Sequence, residues 1–228
     1  MKRWRMVFAA VGLLIAALAG TQAWAESKQV REIDNSAIVL KEIMSIPEKG
    51  IPPALLHDAH GLVIFPGVLK AAFVVGGRYG TGILVARDES GRWSDPVFVK
   101  LVGGSVGWQI GADATDIILV LKSAQSLEGI LKGKVTLGAD AAVAAGPVGR
   151  SAEAATDVTL RSEILSYSRS RGLFAGVSLE GAGLLIDKGA NATFYGKKMP
   201  PRDILSGKVA KRSPEIIRLH DVLKQYAQ

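Results

Sequence analysis

Residues 72–87 read AFVVGGRYGTGILVAR. Four glycines stand among valines, aromatics and other apolar residues, with no proline to break the run. Such a stretch reads as a long, twisted strand. Its glycines mark bulges and close approaches of backbone to backbone, not a flexible linker. DESG (Asp88–Gly91) follows and reads as a hairpin turn. RWSDPVFVKLVG (Arg92–Gly103) then returns as the partner strand. The glycines do not make a nucleotide site. GGRYGTG (Gly76–Gly82) lacks the closing Gly-Lys-Ser/Thr of a P-loop, and no helix opens after it as a dinucleotide-binding turn requires.

On the N-terminal side of this hairpin, LVIFPG (Leu62–Gly67) reads as a buried strand that stops at Pro66. On the C-terminal side, SVGWQIGADATDIILVLK (Ser105–Lys122) reads as two short strands divided around Gly111–Thr115. SAQSLEGILKG (Ser123–Gly133) has helical spacing, with Ser123 placed to cap it and Gly133 to end it. KVTLGADAAVAAGPVGR (Lys134–Arg150) and LRSEILSYSRSRGLFAGVSLEGAGLLID (Leu160–Asp187) are strand-like. In the second, Leu173, Ala175, Val177 and Leu179 alternate with Phe174, Gly176, Ser178 and Glu180.

Helices frame the strands. Between Glu26 and Ile46, residues Val30, Ile33, Ala37, Leu40 and Met44 recur at helical intervals as one apolar stripe. Such a helix can lie in a membrane interface or on the domain's own core. Charges of both signs on its polar face favour the core. PEKGIPP (Pro47–Pro53) breaks it, and ALLHDAHG (Ala54–Gly61) is a short helical turn. After NATFYG (Asn191–Gly196) the helices return as PPRDILSG (Pro200–Gly207) and SPEIIRLHDVLKQY, with Ser213 as N-cap and Pro214 at the first position. The fold class expected is α+β: a curved, Gly-rich antiparallel sheet, able to close toward a barrel, flanked by N- and C-terminal helices.

The first 25 residues carry Lys2, Arg3 and Arg5, then an apolar run from Met6 to Ala19, then Ala23-Trp24-Ala25. This is the pattern of a secretory signal peptide cut after Ala25. The apolar run is short for a membrane anchor of about 20 residues. The expectation is an exported protein of the periplasm or cell envelope. Its organisation would be a signal peptide (1–25), a helix and linker (26–54) and one domain (55–228). Removing 25 of 228 residues lowers the net charge from +7 to +4, because Lys2, Arg3 and Arg5 leave with them. A mild positive balance suits an anionic partner and also ordinary solubility. There is no cysteine, so stability comes from the core without disulfides.

Tests for chemistry return little. GGSVG (Gly103–Gly107) fits G-x-S-x-G, and with His220 it raises a serine hydrolase built on Ser105. That motif needs a strand, a sharp turn and a helix, whereas strand-like sequence follows here. His57 and His60 could share a metal but lack a third ligand nearby in sequence. Asn191-Ala192-Thr193 matches a glycosylation triplet, which is common by chance. No nucleic-acid-binding motif is present, no cofactor is implied, and the residues read as a binding or structural domain, not an enzyme.

Five blocks in order carry a resemblance: KAAFVVGGRYGTGILVAR, GGSVGWQIGADATDIILVL, GKVTLGADAAVAAGPVGR, SYSRSRGLFAGVSLEG and NATFYG. Together they are similar to the SYLF domain, also called the DUF500 or yeast actin-regulator-type domain, over residues 55–196. The resemblance implies lipid binding. Eukaryotic members bind phosphoinositides and work with actin at membranes. The signal-like start argues against actin here and points to acidic phospholipids or a membrane surface, with an envelope protein as the alternative partner. A phospholipid head-group site is expected among Lys70, Arg78, Arg150, Arg169 and Arg171, because a guanidinium fork suits phosphate geometry. Arg169 and Arg171, two apart, would point the same way on a strand. The competing reading pairs these arginines internally with Glu163, Glu180 or Asp140 to hold the sheet ends together.

Overall fold

The computed structural model describes residues 27–46, 50–147, 162–170, 173–174, 179–209 and 213–227, and for 71–75, 105–112 and 173–174 the backbone alone. The elements are α1 (Lys28–Met44), α2 (Pro53–His57), β1 (Gly61–Ala86), β2 (Val97–Leu121), α3 (Ala124–Leu131), β3 (Lys134–Thr136), β4 (Val143–Ala145), β5 (Ile164–Ser170), β6 (Leu173–Phe174), β7 (Gly183–Ile186), α4 (Lys188–Tyr195), α5 (Pro201–Leu205) and α6 (Pro214–Tyr226). They make the expected α+β domain. The strands form one sheet in the order β3-β7-β2-β5-β4, with β1 on β2 and β6 on β5. Every pairing is antiparallel except β4 with β5.

The hairpin around Asp88–Gly91 forms as expected. The Asp88 carboxylate accepts from the Ser90 and Arg92 amides, each at 2.9 Å, and Gly91 turns with φ +78°. Its strands are longer than the sequence suggested. LVIFPG does not stop at Pro66, because β1 continues through it to Ala86. Pro66 and Gly67 form a bulge between Phe65 and Val68. A residue without an N–H is tolerated where the ladder is already interrupted. Gly67 takes φ +69° and donates its N–H to the Asp116 carboxylate at 2.9 Å. β2 likewise runs as one strand through Gly111–Thr115. NATFYG does not precede the helices but belongs to one. Asp187 caps α4 through the Ala190 amide, and Gly196 ends it at φ +71°.

β1 also doubles back on itself. A Cβ on Gly82 would lie 2.1 Å from the Ile64 carbonyl oxygen, so this part of β1 rests directly against its own beginning. The two ends lie side by side, with the Arg87 amide donating to the His60 carbonyl at 2.9 Å. The sheet therefore curls toward a barrel.

Both faces of the curled sheet are buried. On one, Ile33, Leu40 and Ile43 of α1 and Ile216, Leu219 and Leu223 of α6 pack on Leu62, Ile64, Ile83, Ile118 and Tyr167. On the other, Ile130 of α3 and Ile204 of α5 pack with Val63, Phe65, Leu84, Val99 and Leu119. The N-terminal helix thus lies on the core. Ile33, Leu40 and Ile43 are fully buried. At about 2 kcal/mol each they contribute about 6 kcal/mol, comparable to a whole domain's net stability. None of the described helices is long and apolar enough to cross a membrane.

Candidate functional site

Arg169 is the best-defined of the expected head-group residues. On β5 it sits directly opposite Asp116 of β2. Its guanidinium donates to the Asp116 carboxylate at 2.8 Å and to Glu42 of α1. The same Asp116 carboxylate accepts the Gly67 amide of the β1 bulge. One arginine therefore ties α1, β5, β2 and β1 together. Its side chain is 17% exposed and that of Asp116 22%. The hydrogen bonds it donates to Asp116, then to Glu42, hold the Arg169 guanidinium even more firmly protonated than usual. Internal pairing is what the structure shows for this residue. Its partners are Glu42 and Asp116, not Glu163, Glu180 or Asp140. Arg169→Met should lower stability by about 2 kcal/mol, because the part-buried Asp116 carboxylate and the more exposed Glu42 both lose their cation. A shift in the urea midpoint reports it, and an unchanged midpoint would mean that solvent already screens the cluster.

The other expected residues are spread along the sheet. Lys70 is exposed on β1, opposite Asp113 of β2. The Asp113 carboxylate accepts from the Ser170 hydroxyl at 2.9 Å. Arg78 lies eight positions further along β1, opposite Gly103, and is half-buried. A Cβ on Gly103 would meet the Arg78 Cγ and Ala182 at 3.2 Å, so the stem of Arg78 packs closely there. Arg150 and Arg171 lie outside the described residues. Of the remaining three, Lys70 is exposed, Arg78 is half-buried and Arg169 is held by Glu42 and Asp116.

Three exposed apolar side chains accompany these cations, and the sequence reading missed them. Leu69 is 58% exposed beside Lys70, Tyr79 46% beside Arg78, and Val102 37%. Tyr79 and Val102 are direct cross-strand partners. The Val102 Cγ2 and the Lys134 Cε both approach the same point above Gly183, at 3.6 and 3.7 Å. The apolar runs gave no means of separating these residues from core, since neighbouring positions on β1 and β2 are buried on both faces.

The residues tested for catalysis are placed elsewhere. GGSVG lies within β2, with Ser105 paired to Gly76, and the strand runs on to Leu121. The turn and helix of a hydrolase elbow are therefore not there. His220 packs on α6, its Nε2 2.9 Å from the Ser94 carbonyl and 3.8 Å from Asp95. His57 and His60 line a polar recess of about 330 Å³ with Asp58, Arg87, Asp88 and Glu89. The His57 Nδ1 is occupied by Asp58 at 2.8 Å. The described residues hold no group of three metal-ligating side chains. Asn191 is 2% exposed and bonded to the sheet, so the triplet that contains it offers no accessible glycan acceptor in the folded domain. A small polar cleft lies under α1, between Lys28, Glu32, Thr81 and Asp187. Burial pushes the Glu32 carboxyl up, although it accepts from the Thr81 hydroxyl at 2.8 Å.

A family model described as Las17-binding protein actin regulator, Ysc84, matches residues 102–226. Protein YSC84 of Saccharomyces cerevisiae is 39% identical over 187 residues, covering 81% of this chain and 40% of that protein. The chain belongs to the Ysc84 family. The resemblance carried by the five SYLF-type blocks is thereby borne out. SH3 domain-containing YSC84-like protein 1 of Xenopus laevis is 38% identical over 206 residues, covering 86% of this chain and 60% of the relative. LAS seventeen-binding protein 3 of Saccharomyces cerevisiae is 36% identical over 205 residues, covering 89% and 44%. This Ysc84-family chain spans about half the length of the curated relatives it matches. Their names describe a protein-binding regulator and SH3-domain proteins, not enzymes.

Proposed function

We propose that this Ysc84-family domain is a non-enzymatic, exported lipid-binding module that recognises acidic phospholipid head groups at the cell envelope. The observation that carries the reading is the pairing of exposed cation with exposed apolar side chain. Lys134 approaches Val102, the exposed cross-strand partner of the exposed Tyr79. Such pairs suit a surface that is anionic outside and apolar just beneath. The signal-like first 25 residues support an envelope location.

The test is co-sedimentation of Glu26–Gln228 with phosphatidylcholine vesicles and with phosphatidylglycerol- or cardiolipin-containing vesicles, at low and high salt. Binding should require the acidic lipid and weaken with salt, as the Debye length falls from about 10 Å at 0.1 M to about 3 Å at 1 M. A cation near such a surface is worth about 1 kcal/mol. Lys70→Glu should therefore cost about 2 kcal/mol, roughly thirty-fold in partitioning. Equal binding to neutral vesicles, or none to either, would overturn the reading. Arg169 is unsuited to this test, because its substitution reports on the fold.

A second reading is a protein-interaction module. It is favoured by the relatives' names, which record binding to Las17. It predicts a stable hetero-complex recovered from envelope extract and no selectivity for acidic lipid.

A further inference from the structure

The start of α1, the end of α4 and the start of α6 line a cavity of about 640 Å³. The apolar part of its wall is Val30, Phe194, Tyr195, Met199 and Val209. Phe194, Tyr195, Met199 and Val209 also pack against the two core layers, so the fold fixes this wall. Sites for small organic molecules have this size, about 300–1,000 Å³, and this mostly apolar lining with a few polar groups.

Two of the polar groups are unsatisfied. Ser213 stands at the N-cap of α6, where a serine hydroxyl ordinarily accepts from the first amides of the helix. Here it makes no cap bond. Its Oγ is shielded from solvent and has no hydrogen-bond partner. Glu215, two residues on, is 7% exposed. Among the described residues, no hydrogen bond or ion pair reaches its carboxylate. A buried hydroxyl and a buried acid without partners both oppose folding. The partial positive charge at the start of α6 favours an acid there, but it gives the Ser213 hydroxyl no partner. Lys197 is the cation among the lining residues. It is exposed, so water solvates its ammonium, and no described ion pair joins it to Glu215.

We propose that this cavity is a binding site for an aliphatic primary amine. Its ammonium donates to the Glu215 carboxylate and to the Ser213 hydroxyl, which answers both groups at once. The aliphatic chain lies against Val30, Met199 and Val209. Phe194 and Tyr195 add aromatic surface, which attracts a cation. An acid of the same length would meet Glu215 as a like charge, and an alcohol would leave it without a counter-ion. The site needs no bilayer and is independent of the lipid reading above.

The test titrates hexylammonium chloride and 1-hexanol into Glu26–Gln228, without vesicles, by calorimetry. Hexylammonium should bind saturably and at least about ten-fold more tightly than hexanol. Glu215→Gln keeps the side chain's shape and should weaken amine binding at least about ten-fold. Ser213→Ala should weaken it about three-fold, and should leave the melting temperature of the protein alone unchanged. Amide NMR shifts on adding hexylammonium should concentrate at residues 27–30, 193–199 and 213–215. If Glu215→Gln does not fold, Ser213→Ala and the shift map decide between them. No saturable binding, equal affinity for hexanol, an unweakened Glu215→Gln or shifts centred elsewhere would overturn the site. So would a lower melting temperature for Ser213→Ala, which would mean that its hydroxyl is already bonded. None of these outcomes bears on sedimentation with acidic vesicles, so the two readings fail separately.

Discussion

Gly82→Ala should lower the stability of the domain by about 3 kcal/mol, and Gly82→Val should prevent cooperative folding. A Cβ at this position would stand 2.1 Å from the Ile64 carbonyl oxygen and 2.7 Å from the Phe65 Cδ1. Ile64 and Phe65 are fully buried. The obstacle is backbone, so no flexible side chain can swing aside. Relief requires the second half of β1 to lift from the first, which opens the curl and loosens both core layers. Overpacking a core costs about 1–3 kcal/mol, and a backbone clash lies at the top of that range. The comparison is Gly104→Ala on β2, where an added Cβ meets nothing within 4 Å and the change should stay within about 0.5 kcal/mol. Urea midpoints for the two variants decide the matter. Equal midpoints would mean that β1 does not fold against itself.

Asn191→Ala should cost a similar amount, about 3 kcal/mol, for a different reason. The Asn191 side chain completes the backbone pairing of β2 at Phe98. The Phe98 amide donates to its Oδ1 at 3.0 Å, and its Nδ2 donates to the Phe98 carbonyl at 3.0 Å and to the Asp187 carbonyl at 2.8 Å. Alanine leaves the buried Phe98 N–H without its partner, at about 1–3 kcal/mol, and removes one of two bonds from the Phe98 carbonyl, which keeps the Asp187 amide at 2.9 Å. Thr193→Ala destroys the same glycosylation triplet at an exposed position and should leave stability within about 0.5 kcal/mol. A thermal melt of both variants separates the two roles of this stretch. If Thr193→Ala is the damaging one, the bonding assigned to Asn191 is wrong.

Much of the architecture was legible because its signals are local. The periodic stripe from Val30 to Met44, the Ser123 cap and the Gly133 stop, and the glycines of residues 72–87 each report on a few neighbouring residues. They delivered the α+β class, the hairpin and the N-terminal helix docked on the core. The division of β1 at Pro66 and of β2 near Gly111 was misread, because proline and glycine punctuate most chains. Here the interruption at Pro66 is absorbed as a bulge. The carboxylate that accepts the Gly67 amide belongs to Asp116, 49 residues away.

The candidate site was less legible. The sequence showed that Arg169 carries a charge on a strand. It could not show that Glu42, 127 residues earlier, and Asp116, 53 residues earlier, both close on it. Nor could it tell the exposed Leu69, Tyr79 and Val102 from the buried Val68, Ile83 and Leu101, since all are apolar residues in apolar strands. By itself, the sequence determined most of the helices, the strand-rich middle and the hairpin turn, because backbone preference and side-chain periodicity act over a few residues; five blocks in order carried the family resemblance. Which charges neutralise one another, which apolar residues stay in water and where β1 meets itself were decided only by the tertiary structure. Those outcomes depend on the curl of one long hairpin, which brings residues far apart in the chain to within a few ångströms.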